Sequence, residues 1–207
     1  MTRLLSRLLR DETAVAFVEF AYVAPVFIAL VLAGLELTNL ALAHLRVSQI
    51  AMSVADNAGR TPTGIDEAHI HEVFAGASVM GGDLDFKKHG RIVLSSVEEN
   101  GRTGAEQGQW IRWQRCWGEA TVEPAYGKQG AGQTNAQLRE GLGETGNRIS
   151  AVPGTALMFV EATYQYQPLV GSAFLFNPVI RYESAFNVRG RQNNAITNTQ
   201  SLQLLSC

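Results

Sequence analysis

The sequence predicts an α+β protein: a long amino-terminal transmembrane and stalk helix, then a small head with a mainly antiparallel β-sheet and one short helix. Three observations carry this. Between Val15 and Ala43 the only charged residues are Glu19 and Glu36, the helical spacing of apolar residues continues past Ala43, and after Arg91 the pattern changes to short alternating runs. Hydrophobic residues make up 46% of the 207 and charged residues only 17%, too apolar for a disordered chain and low in charge for an ordinary soluble one. A net charge of -2, from 17 basic and 19 acidic residues, provides no basic stripe for nucleic acid, so no nucleic-acid partner is expected.

The first element is a basic leader, residues 1–14, with Arg3, Arg7 and Arg10. An excess of Lys and Arg marks the cytoplasmic side of a span. The apolar run that follows exceeds the roughly 20 residues a bilayer core requires. The expected topology is therefore single-pass, with the amino terminus inside and the head outside. A buried core helix this apolar would need a larger domain around it. A cleaved signal peptide is the stronger rival, because Ala41, Leu42 and Ala43 have the small-x-small form of a cleavage site. Its apolar core, however, would be about twice the usual 7–15 residues.

Carboxylates inside a span are costly and require a reason. Glu36, followed by Thr38 and Asn39, is expected to reach interfacial water; Glu19, among Phe17, Val18, Phe20 and Ala21, is expected to hold a positive partner. Pro25 removes one backbone bond and predicts a local kink. Beyond the span, Leu40, Ala43, Val47, Ile50 and Val54 recur at spacings of three and four, which continues the helix as a narrow amphipathic stripe. A helix over residues 15–57 would be about 65 Å long. Ala58, Gly59, Pro62 and Gly64 mark its end.

The block from Glu12 to Phe20 places the small Ala14 five positions before the Glu19-Phe20 pair, directly ahead of the apolar helix. With Ala24 and Pro25, then Leu35, Glu36 and Leu37, and the helical tail from Leu45 to Ala51, it resembles the TadE-like family of minor pilins (pseudopilins) of the Tad/Flp type IV pilus. The similarity covers roughly residues 10–60, with a weaker echo from Tyr164 to Leu169. Ala14 stands where that family usually has Gly, and Phe20 where Tyr is often found. The resemblance implies cleavage by a prepilin peptidase after Ala14, which leaves Val15 as the first mature residue. It also implies pairing of the new Val15 amine with a neighbouring subunit's Glu19. The implied partners are other pilin and minor pilin subunits, the prepilin peptidase, an inner-membrane assembly platform and the lipid bilayer; the implied place is the bacterial inner membrane with a periplasmic head.

The residues divide the chain into a leader (1–14), the transmembrane and amphipathic helix (15–60) and an α+β head (61–207). In the head, a short helix is expected over residues 66–75 and strands over 91–97, 110–117, 157–167 and 179–188. In the third strand, Met158, Val160, Ala162, Tyr164 and Tyr166 share one face, and Phe159, Glu161, Thr163, Gln165 and Gln167 the other. Residues 125–147 are rich in glycine and poor in apolar anchors, which predicts a long mobile loop. Within it, the run from Gly141 to Gly146 matches G-x-G-x-x-G, but it lacks the strand before and the helix after that a dinucleotide site needs.

Cys116 and the final residue, Cys207, are an even pair outside the cytoplasm, so a disulfide that pins the carboxyl terminus to the sheet is expected, against the alternative of two free thiols. His69 and His71, two apart, would lie on nearly opposite sides of a helix, and His44 and His89 are isolated, so no metal site is expected. Glu98 and Glu99 read as a solvated strand end. No nucleophile, base and acid converge in any known catalytic pattern, so neither an enzyme nor a cofactor is expected. Trp110, Trp113, Trp117, Tyr164 and Tyr166 are read as the core of a small sheet, with a ligand-binding platform as the alternative; on that alternative the protein is a tethered or secreted binding or adhesion domain, cut at Ala43.

Overall fold

A computed structural model of the chain describes residues 12–61, 64–170, 178–189 and 193–207. Arg3, Arg7 and Arg10 of the leader lie outside the described residues, and Ala14 is described as helical backbone only. The described residues fall into two compact units. One combines the chain up to Ala41 with the Pro168–Phe176 stretch, and the other combines Leu42–Gln167 with Asn177–Cys207.

Helix α1 runs from Glu12 to Gly59 and passes through Pro25 without a break in its assignment. It begins and ends within a few residues of where the apolar pattern places it. Its first half is apolar on every side: Val15, Phe17, Phe20, Tyr22, Phe27 and Leu30 are all exposed. Its second half buries one stripe, with Ala43, Val47, Ile50, Val54 and Ala58 fully covered, as the three-and-four spacing requires.

The head is a four-stranded antiparallel sheet in the order β3-β2-β4-β5. Its strands are β2 (Gly90–Glu99), β3 (Gln109–Trp117), β4 (Leu157–Gln165) and β5 (Val179–Asn187), each within two residues of its expected bounds. Two elements escaped the sequence reading. A short parallel pair joins β1 (Ile65–Asp66) to β6 (Ile196–Thr197), and a single turn, α3 (Phe86–His89), precedes β2. Helix α2 (Glu67–Met80) is longer than the helix expected there.

Strand β4 is buried on both faces over Leu157–Thr163 and Tyr164. The last half of α1 lies over the even-numbered face: His44 Nδ1 is 3.2 Å from the Tyr182 hydroxyl, and a Cβ on Gly59 would stand 3.5 Å from that of Phe186. Phe86 stacks on both Trp117 and Tyr164, with ring centroids 6.2 and 5.7 Å away, and Phe74 stacks on Trp117.

The opposite face is covered by the glycine-rich segment, which corrects the expectation of a mobile loop. Leu138 and Leu142 are buried with Val97, Ile111, Ala151, Leu157 and Phe159, and Tyr126 and Ala131 pack against that cluster. The Ile111 N–H donates to the Ala131 carbonyl at 2.9 Å, and the Gln109 N–H donates to that of Leu138 at 3.1 Å. Two leucines four positions apart, with Arg139, Glu140 and Gly141 between them, are too sparse a signal to read as a layer. The glycines serve the close approach: Gly132 and Gly141 have φ of 82° and 90°, and a Cβ would collide with the carbonyl oxygens of Gln109 and Ile149 respectively.

A buried ion pair ties α2 to the sheet. Arg115 Nε of β3 donates to Glu67 Oε1 at 2.8 Å and Oε2 at 3.0 Å, Nη2 closes a third contact, and the side chains are 7% and 1% exposed. Removing one partner strands a buried charge, which costs about 3–5 kcal/mol, whereas replacing both by apolar residues of similar volume is often close to neutral. Arg115→Met alone is therefore expected to lose about that much in a denaturant titration followed by tryptophan fluorescence. Arg115→Met combined with Glu67→Leu should recover most of it.

Candidate functional site

The residues that the resemblance singles out lie on the first half of α1. Val15 is helical and 60% exposed, Glu19 is exposed one turn later, and Phe20 is exposed beside it. The helix therefore presents the Glu19 carboxylate from an apolar surface with no partner on its own chain within the described contacts. The most apolar window of the helix, within Val15–Gly59, has a mean hydropathy of 2.3 and none of it is buried inside the molecule. A helix that is apolar all round and uncovered by its own protein is built for lipid or for other helices.

Glu36 does not reach water, contrary to expectation. It is 2% exposed, and its Oε2 accepts the backbone N–H of Val170 at 2.9 Å. The partner lies far away in sequence, so no local pattern could have announced it.

Cys116 and Cys207 form a disulfide, with Cα atoms 5.0 Å apart and a sequence separation of 91. As expected, it pins the carboxyl terminus to the sheet. The Cys116 N–H donates to the Leu205 carbonyl at 2.7 Å, along the outer edge of β3, and His71 Nε2 is 2.9 Å from the Gln203 carbonyl oxygen. The tail is held at its start by Asp66, which also caps α2. Its carboxylate accepts the Thr197 hydroxyl at 2.6 Å and the N–H groups of Thr199 and Ala68. These hydrogen bonds, Thr197 first, draw the Asp66 carboxyl down to about 2.

A second carboxylate has the opposite environment. Glu161 on β4 is nearly buried beneath the glycine-rich layer. Its Oε2 accepts the Ala125 N–H at 2.8 Å, and its Oε1 has no hydrogen-bond partner. It lies directly across from Glu183 of β5, which accepts the Tyr126 hydroxyl at 2.7 Å. Desolvation first, and then Glu183, raise the Glu161 carboxyl to about 7, while the Ala125 N–H and Arg181 act the other way. Beside this pair opens a cleft of about 550 Å³ lined by Tyr126, Asn147, Phe159, Arg181 and Glu183.

The remaining candidates resolve as structure. Trp113, Tyr164 and Tyr166 are buried in the core, and the Trp113 Nε1 donates to the Asn194 carbonyl at 3.1 Å. Of the pair at the end of β2, Glu99 is exposed as expected, whereas Glu98 is half-buried and accepts Arg112 Nη1 at 3.0 Å. In the G-x-G-x-x-G run, Leu142 bridges Ile149, with neither strand nor helix flanking it, so the glycines make turns. No cluster of three or more His, Cys, Asp or Glu suited to a metal occurs among the described residues. The protein is thus of an α+β, disulfide-stapled class with one helix among the described residues long and apolar enough to cross a membrane. No family model, no curated protein and no solved structure matches the chain.

Two predictions follow from these groups. Closing the disulfide loop contributes about 4–5 kcal/mol in the chain-entropy model, so Cys207→Ser should lower the unfolding free energy by about that amount and abolish its dependence on reductant. The two carboxylates act with opposite signs on pH. The stabilising effect of Asp66 is present above about pH 4 and disappears as pH falls through about 2, because its folded pKa is depressed. For Glu161 the folded pKa is raised, so its favourable effect is complete below about pH 4.5 and is lost as pH rises through about 7. Glu161→Gln, which keeps an acceptor for Ala125, should therefore raise the melting temperature at pH 8 and change it little at pH 5.

Proposed function

We propose that the protein is a TadE-like minor pilin or pseudopilin that takes part in the biogenesis of a Tad (Flp) pilus used for surface adhesion. A prepilin peptidase processes it after Ala14, and it assembles through its amino-terminal helix. The observation that carries the reading is the first half of α1: a helical surface apolar on all sides, uncovered by its own chain, that bears one exposed carboxylate at Glu19. After cleavage the Val15 amine of one subunit and the Glu19 carboxylate of the next are opposite charges in a low-dielectric helical bundle. Either alone would be expensive there, so pairing sets the axial register between subunits.

On this reading the protein sits in the inner membrane with its head in the periplasm, where a disulfide is stable. Its partners are other pilin subunits, the peptidase, the assembly platform and the bilayer, and its chemistry is packing with neither catalysis nor cofactor. The rival, a head released by cleavage at Ala43, is disfavoured because Ala43 is fully buried and begins the stripe that packs α1 into the head.

Intact mass and amino-terminal sequencing of the membrane-extracted protein, with and without the peptidase, test the proposal. A start at Val15 that requires the peptidase is expected. A start at His44, or an uncut Met1, would overturn it. Glu19→Ala should reduce pilus assembly severalfold while the head keeps its unfolding transition; normal piliation by that variant would remove the charge pair from the mechanism.

A further inference from the structure

Glu36 and the chain just after β4 raise a question that the assembly reading leaves open. A buried carboxylate on the apolar helix accepts the backbone N–H of Val170. Pro168, Leu169 and Val170 belong to the same compact unit as the helix up to Ala41. Leu169 is nevertheless 68% exposed, and the sequence carries no acidic or basic residue between Gln167 and Arg181. An exposed leucine beside a backbone amide that is tied to an apolar helix calls for an apolar surrounding.

The level along the helix identifies its surroundings. From Val15 to Glu36, α1 rises about 32 Å at 1.5 Å per residue, against a hydrocarbon core of about 30 Å. Glu36, and with it Val170, therefore falls at the outer boundary of the bilayer. Irregular backbone is tolerated at that depth only where its polar groups are satisfied within the protein. Pro168 has no N–H, the Val170 N–H is taken by Glu36, and Gln167 turns its Nε2 back to the Gln165 carbonyl at 2.9 Å. The exposed apolar side chain between Pro168 and Val170 is Leu169.

We propose that Pro168, Leu169 and Val170 form a second membrane contact, clamped to the spanning helix by Glu36, with Leu169 seated in the outer interface of the lipid bilayer. The inference rests on the reading of α1 as a transmembrane helix and goes beyond it. The stretch that follows β4 then meets the bilayer beside the spanning helix to which it is tied. It also gives the intramembrane carboxylate Glu36 a positioning task separate from the assembly task of Glu19.

The test uses the full-length oxidised chain in vesicles of phosphatidylethanolamine and phosphatidylglycerol, with a nitroxide attached at Leu169→Cys, the native cysteines being held in their disulfide. Labels at Phe27→Cys in α1 and at Val79→Cys, 84% exposed on α2, serve as lipid and water references. Collision with oxygen and with a water-soluble nickel chelate is read by electron paramagnetic resonance. The expected result is an oxygen-to-nickel ratio at Leu169 severalfold above that at Val79 and approaching that at Phe27. Adding Glu36→Leu, which cannot accept the Val170 N–H, should bring the ratio back toward the Val79 value. A water-like Leu169 beside a lipid-exposed Phe27 would overturn the second contact alone, and water-like values at both would overturn the transmembrane reading too. A Leu169 label shielded from both reagents would mean that protein, not lipid, covers it, and an unchanged ratio with Glu36→Leu would remove the clamp.

Discussion

Helix α1 changes its hydrophobic pattern along its length, and the rest of the molecule is organised by that change. Up to about Leu35 it is apolar on every side, a surface with no use for water. From Ala43 it is apolar on a single stripe, which must be buried against something polar on its outer side. Because one continuous helix carries both patterns, its second half becomes part of the core of the head. Ala43, Val47, Ile50, Val54 and Ala58 are small or medium residues, so the helix approaches closely, and Gly59 meets Phe186 without a side chain of its own.

The sheet then faces an arithmetic problem common to small domains. Four strands have two faces, and one helix with its neighbours covers only one. The glycine-rich segment between β3 and β4 supplies the second layer with Leu138, Leu142 and Tyr126, which lets β4 be buried from Leu157 to Tyr164 although it carries Glu161 and Thr163. A layer made of turns contributes less packed area than a helix does. The covalent bridge from Cys116 to Cys207 offsets that thinness, and it also covers the outer edge of β3, which would otherwise offer unpaired backbone groups to another chain.

Burial of carboxylates is the second theme, and each case is resolved differently. Glu67 is neutralised by the guanidinium of Arg115 and Asp66 by converging hydrogen-bond donors, while Glu36 accepts the Val170 backbone amide. Glu161 is incompletely compensated: one oxygen has a donor, the other has none, and a second carboxylate lies across the strand. It resolves the cost by holding its proton to a higher pH. Glu19, by contrast, is exposed on the apolar surface of the helix.

What the sequence by itself determined was whatever depends on neighbours in the chain. The long apolar helix, its stripe from Leu40 to Val54 and the four strands follow from local composition and periodicity, and two cysteines allow only one pairing, which the structure shows to be formed. The candidate assembly residues Ala14, Val15, Glu19 and Phe20 rest instead on the family resemblance of the block from Glu12 to Phe20. Tertiary structure alone decided the features whose partners lie far apart. These are the Arg115 contact to Glu67, the Val170 amide on Glu36, the capping of Asp66 by Thr197 and Thr199, and the packed rather than mobile state of residues 125–147. Periodicity reports which side of an element is apolar, whereas the fate of a lone polar group depends on which distant backbone or side chain the fold brings within hydrogen-bonding distance.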